Sequence, residues 1–136
     1  MYPGFGEKPI ICSALDAYNE FKQFFDPGTK SLQEQFMVMY LNRSNRVLGI
    51  YPLSKGGFTG TVADIRIILS VALRIAATSI ILAHNHPSGS LQASGKDIEL
   101  THKIKEAARL MDIKVLDHII LTEKGNYCSF GDKGII

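Results

Sequence analysis

The feature that most constrains this chain is a short, uninterrupted apolar run, Ile80-Ile81-Leu82-Ala83, that leads without a polar break into His84-Asn85-His86. A continuous apolar run of this length reads as a strand buried on both faces. Such a strand belongs inside a sheet that carries helices on its faces. Alternate residues of an extended backbone point the same way, so the two imidazoles leave the strand's end on one side. A polar turn, His86-Pro87-Ser88-Gly89-Ser90, follows.

The rest of the chain supplies the elements around that strand. Ser13 predicts the cap of a first helix over Ala14 to Phe25, with Leu15, Tyr18, Phe21 and Phe25 at helical spacing and Asp26-Pro27-Gly28 as its stop. Gln35 to Leu41 and Arg46 to Leu53 read as two strands of a hairpin turning at Asn42 to Asn45 and ended by Gly56-Gly57. Asp64 predicts the cap of a second helix, Ile65 to Ala77, apolar nearly all round and therefore expected to be central. A third helix is predicted over Gly95 to Met111, with Ile98, Ile104, Ala108 and Met111 on one face. Val115 to Leu121 and Tyr127 to Phe130 read as strands joined at Lys124-Gly125-Asn126. The expected fold class is α/β: a mixed, largely antiparallel sheet flanked by about three helices.

Composition matters here for what it excludes. The 136 residues are expected to form one domain, 1–136, with 1–31 as a helical lead-in and no helix-hairpin-helix unit. A net charge of +2 is too small an excess to argue for a nucleic-acid-binding stripe. Cys12 and Cys128 make neither a metal knuckle nor a disulfide framework, and are expected as buried or half-buried thiols in a reducing cytoplasm. The N-terminus lacks the pattern of a signal peptide. No stretch reaches the ~20 apolar residues of a membrane span, since Arg66, Arg74 and Thr78 break the longest ones. A protein of the cytoplasm is expected, with no membrane partner.

Two imidazoles at one strand end suit a divalent metal, whereas a lone histidine there is more often structural. Asp97 is the third candidate ligand. Ser94-Gly95-Lys96-Asp97 also has the pattern of a helix capping box, and a carboxylate so placed can serve the helix or the metal, depending on its rotamer. Two histidines and one carboxylate leave a coordination position open for water, as a catalytic zinc requires; the same set suits Fe(II). A base would still be needed. Glu34, just before the Phe36 to Leu41 stretch, is the best candidate, although an isolated glutamate at a strand start is ordinarily just solvated.

Taken together, Glu34, His84-x-His86, seven intervening residues, Ser94, two more and Asp97 resemble the JAMM metalloprotease motif. The wider context resembles the RadC branch of the JAB/MPN family, through Gln33-Glu34-Gln35-Phe36, Leu41-Asn42-Arg43-Ser44-Asn45-Arg46, Asp64-Ile65-Arg66, His84-Asn85-His86-Pro87-Ser88-Gly89, Asp97-Ile98-Glu99-Leu100-Thr101 and Asp117-His118-Ile119-Ile120. The resemblance spans about Leu32 to Phe130. It implies a cytidine-deaminase-like architecture and a zinc-dependent hydrolase of peptide or isopeptide amides. His84, His86 and Asp97 would hold Zn2+, Glu34 would be the general base, and Ser94 would donate to the oxyanion. Asp117-His118 matches the RadC pattern without a chemical role and is expected as a buried structural pair; His102 is expected to be solvated. Full-length RadC proteins carry an N-terminal helix-hairpin-helix segment that binds DNA backbone, and here about thirty residues precede the core. Ser90-Leu91-Gln92-Ala93 stands where the family has an acidic, proline-containing run, which alters the rim of the site.

Several rivals are weighed against this reading. An HNH nuclease scatters its named residues over a ββα-metal motif and needs a basic face. A zinc deaminase needs H-x-E and then P-C-x-x-C, and neither is here. The non-enzymatic alternative is a metal-stabilised interaction module of DNA repair or mobile elements, but a scaffold needs no base. The partner expected is a peptide or protein substrate that the sequence does not identify, with at most weak, salt-sensitive binding to DNA. Oligomeric state is left open.

Overall fold

The computed structural model describes residues 8–25, 34–55 and 63–136. Within them the chain runs α1 (Ala14–Phe21), β1 (Gln35–Leu41), β2 (Val47–Lys55), α2 (Ile65–Arg74), β3 (Ser79–Asn85), α3 (Gly95–Arg109), β4 (Lys114–Leu121) and β5 (Tyr127–Ser129). The expected stops at Asp26-Pro27-Gly28 and Gly56-Gly57 lie outside the described residues. The strands form one mixed five-stranded sheet in the order β2-β1-β3-β4-β5, flanked by three helices, as the fold class anticipated.

The apolar run sits where its composition demands, in the middle strand, with all seven residues of β3 buried. β1 pairs antiparallel with β3, and β4 lies parallel to β3 on its other side. A parallel pair needs a crossover connection, and α3 provides it. The period of two then divides the apolar residues between the sheet's faces. Met37, Met39, Ile81, Ala83 and Ile119 pack against Tyr18 and Phe21 of α1. Phe36, Val38, Tyr40, Ile80 and Leu82 pack against Ile68, Leu69 and Ala72 of α2 and Ile104 and Ala108 of α3.

Local chemistry starts the helices as expected. Ser13 Oγ accepts from the Asp16 amide at 3.2 Å and Asp64 Oδ1 from the Arg66 amide at 2.9 Å, each answering an otherwise orphan helix donor. The hairpin turn is held by Asn42 Oδ1, which accepts from the Ser44 and Arg46 amides at 2.9 and 3.0 Å.

The ends and faces of the helices differ from expectation. α1 stops at Phe21 rather than Phe25, because the chain tightens there into an i→i+3 turn, with the Phe24 amide on Phe21 O at 2.9 Å. Phe25 still reaches the core, but Leu15 is 51% exposed. Its position lies roughly 100° around the helix from the centre of the buried face. α2 is not central: it offers Ile68, Leu69 and Ala72 to the sheet and leaves Ile67 and Leu73 exposed. α3 stops at Arg109, and Met111 lies outside the packed face, 48% exposed. Cys12 is exposed rather than buried; Cys128 is buried, and both thiols are free. Among the described residues no helix is long and apolar enough to cross a membrane.

The early end of α2 has a specific cause. Ala76 takes a left-handed conformation, φ 56, so that the Ala77 amide reaches Ala72 O at 2.9 Å and closes the helix. Asp112, φ 57, does the same after α3, where the Ile113 amide reaches Ala108 O at 3.0 Å. A left-handed alanine costs roughly 1–2 kcal/mol that glycine avoids, against glycine's extra unfolded freedom of roughly 0.5–1 kcal/mol. Ala76→Gly is therefore expected to raise stability by about 0.5–1 kcal/mol in urea denaturation. A loss of stability would contradict this account of the helix end.

Candidate metal centre

The site is built by strand parity. β3 delivers His84 to one side and Asn85 to the other, and His86, the first residue after the strand, returns to the side of His84. In the antiparallel pairing of β1 and β3, Phe36 stands opposite His84. Glu34, two residues before Phe36, therefore arrives beside His86 on the same face. Asn85 points away and still matters: its Oδ1 accepts from the Gln35 amide at 2.5 Å, which fixes the start of β1 next to Glu34.

Asp97 comes from the first turn of α3. Its Oδ2 accepts from the Ser94 amide at 3.0 Å, while Ser94 Oγ accepts from the Asp97 amide at 3.0 Å, so the capping box is present in full. The same Oδ2 lies 3.1 Å from His86 Nε2 and 3.4 Å from His84 Nε2. Helix capping and the site are thus not alternatives, because one rotamer of Asp97 serves both. His84 Nε2 is 2.9 Å from His86 Nε2 and 3.9 Å from Glu34 Oε1. One ligand atom from each of Glu34, His84, His86 and Asp97 lies within 4.8 Å of the others, a group that could hold a metal ion.

The donor set fits a cation. Two carboxylates face the cluster. His86 Nδ1 is 2.9 Å from the Ser90 carbonyl, which can only accept, so Nδ1 donates there and the neutral ring turns a lone pair on Nε2 toward the cluster. Acceptors converging on one point repel one another unless a proton or a metal lies between them. The titration behaviour of the metal-free site follows from this. The hydrogen bond with Asp97 holds His86 above an ordinary imidazole, against its burial. Burial pushes Asp97 up, but its contacts with His84 and His86 outweigh that and hold it well below the carboxylate range.

Two further residues belong to the site and were not anticipated there. His118, expected only as a structural partner of Asp117, is fully buried, and its Nε2 lies 2.6 Å from His84 Nδ1. Burial pushes its pKa well down. Thr101 Oγ1 lies 2.6 Å from His118 Nδ1. Thr101 follows Asp97 by one helical turn, which is a readable spacing; His118 is placed by the parallel β3–β4 register, which is not. Asp117 is structural as expected, accepting from Ser129 Oγ at 2.6 Å and the Gly131 amide at 2.9 Å. His102 is exposed.

Among known proteins, a family model described as RadC-like JAB domain matches residues 11–135. The UPF0758 protein of Flavobacterium johnsoniae is 49% identical over 102 residues, covering 75% of this chain and 44% of that protein. The UPF0758 protein of Porphyromonas gingivalis is 42% identical over 126 residues, 93% of this chain and 54% of its own length. The Geobacter sulfurreducens protein UPF0758 GSU0386 is 33% identical over 135 residues, 96% and 57%. The chain spans about half the length of the curated relatives it matches.

Metal uptake is expected to compete with the proton on His86. Since that pKa is raised, the proton is held above the ordinary imidazole range, and the apparent metal affinity should climb with pH through a window above 6.5 before levelling. Chelator competition across about pH 6 to 8 measures it. A flat profile, or full affinity retained by a His84→Ala, His86→Ala double variant, would contradict the site.

Proposed function

The chain belongs to the RadC-like JAB domain family, and from that membership we propose that it is a zinc-dependent hydrolase of peptide or isopeptide amide bonds. The observation that carries the proposal is the convergence of Glu34, His84, His86 and Asp97 at the end of a buried strand. His84, His86 and Asp97 are the residues that would hold the metal. When bound, zinc supplies a Lewis acid that polarises a carbonyl and makes water acidic enough to attack near neutral pH.

The remaining chemistry belongs to the chain. Glu34 is the general base: its carboxylate takes the proton of the attacking water and passes it to the departing amine. Its side chain keeps about a quarter of its surface exposed, so it faces the solvent that delivers the water. Ser94 Oγ accepts from the Asp97 amide and keeps its own proton to donate to the carbonyl oxygen as charge develops there. Asn85, by gripping the Gln35 amide, keeps Glu34 in place. The substrate is proposed to be a protein or peptide rather than duplex DNA, for which a net charge of +2 offers little attraction.

Glu34→Gln separates base from ligand. The amide is nearly isosteric but cannot accept the proton, so the variant should keep its metal and lose amide hydrolysis by two orders of magnitude or more, on the order of 10²–10⁴-fold. Loss of the metal instead would make Glu34 a fourth ligand and the centre a structural one. Asp97→Asn should weaken metal binding sharply. Ser94→Ala should retain metal, lose about 1 kcal/mol of stability with the cap, and turn over more slowly. Metal content, urea denaturation and hydrolysis of a fluorogenic amide, read on the same preparations, check all three.

A further inference from the structure

An imidazole can serve as a metal ligand through Nε2 only if its proton sits on Nδ1. For His86 the Ser90 carbonyl ensures this directly. His84 Nδ1 faces another imidazole instead, which can either donate or accept. What sets the direction lies farther away, and it can be followed atom by atom.

Thr101 Oγ1 is 2.7 Å from the Asp97 backbone carbonyl. A carbonyl only accepts, so the hydroxyl spends its proton there. The lone pairs of Thr101 Oγ1 are what His118 Nδ1 meets at 2.6 Å, and that nitrogen therefore carries a proton and donates it. His118 is wholly buried, stacked on Phe130 with ring centroids 4.5 Å apart and edge-on to Phe36. A second proton would bury an imidazolium among aromatic rings, which is costly. His118 Nε2 is thus an acceptor, and the hydrogen bond at 2.6 Å is donated by His84 Nδ1. His84 is left with its Nε2 lone pair directed at His86, Asp97 and Glu34.

We propose that Thr101 and His118 are positioning residues that fix the tautomer of His84, so that a hydroxyl anchored on the backbone of α3 makes β3's first histidine competent to bind a metal. The inference rests on His84 being a ligand, as proposed above. Without the acceptor at Thr101, His118 gains by moving its proton to Nε2 and donating to His84. His84 would then turn an N–H toward the cluster and obstruct the metal. The same α3 turn that supplies Asp97 supplies the anchor, because the Thr101 hydroxyl donates to the Asp97 backbone carbonyl and leaves the Asp97 carboxylate to the site.

The test uses Thr101→Val, which keeps shape and removes the acceptor, and Thr101→Ser, which restores it. Zinc affinity by chelator competition should fall roughly 10–100-fold in Thr101→Val, the usual cost of losing an outer-shell partner, and return nearly to wild type in Thr101→Ser. Thermal melts of the metal-free proteins show whether folding is equal. Nitrogen-15 NMR of the metal-free wild type reads the tautomer directly, with His84 expected protonated on Nδ1 and bare on Nε2. Equal zinc affinity in Thr101→Val and wild type would overturn the inference and leave the site standing. If wild type takes up no zinc, the site reading fails instead, and the NMR spectrum alone decides the tautomer. A wild-type His84 protonated on Nε2 would refute the inference even if Thr101→Val does not fold.

Discussion

The burial of β3 between β1 and β4 is the constraint on which the rest depends. A strand enclosed on both edges and both faces has its register held by every neighbour, and a slip of one residue would exchange the faces of all its side chains. Because Ile80 and Leu82 face α2 and α3 while Ile81 and Ala83 face α1, the residues that follow have no freedom. His84 must continue the α3 side, Asn85 the α1 side, and His86 returns to the α3 side. The two imidazoles therefore converge as a consequence of core packing rather than by any interaction of their own. The antiparallel partner β1 then brings Glu34 to the same edge, and the crossover helix α3, which the parallel β4 requires, brings Asp97.

That arrangement concentrates acceptors in a small volume. Two carboxylates and two imidazole nitrogens gathered within 4.8 Å oppose folding unless a positive charge joins them. Hydrogen bonds from outside the cluster hold three of these groups there nonetheless. The Ser94 amide and the cap fasten Asp97, the Ser90 carbonyl fastens His86, and His118 with Thr101 fastens His84. The site is pre-organised by these outer contacts, and the cation or proton that fills it is drawn by the acceptors they hold together.

Much of this was legible in the sequence, for identifiable reasons. The apolar run before His84 has a single structural solution, and the spacing of Ser94 and Asp97 has a known local geometry; both appear as expected. Glu34 is fifty residues from His84, and no spacing links them. Its place before the Phe36 to Leu41 strand made it a candidate, the family resemblance supported it, and the Phe36–His84 pairing explains physically how it reaches the site. His118 is buried as expected, but its contact with His84 was not foreseen, because a parallel register cannot be read from local pattern; its place beside Leu82 is set by α3's crossover. The helix ends at Arg74 and Arg109 escaped notice because Ala76 and Asp112, rather than glycines, adopt the left-handed stop. α2 was expected to be central since it is apolar all round, yet apolar residues need not be buried. The sheet face is shared with α3, and Ile67 and Leu73 are left outside it.

The most direct measurement of the central claim is a crystal structure of zinc-loaded protein with anomalous data collected on both sides of the zinc absorption edge. The account predicts one strong anomalous peak, bonded to His84 Nε2 and His86 Nε2 at ~2.0–2.1 Å and to an Asp97 carboxylate oxygen at ~2.0–2.2 Å, with Glu34 close by but unbonded. A peak elsewhere on the molecule, no peak at all, or a metal that Asp97 does not touch would contradict it.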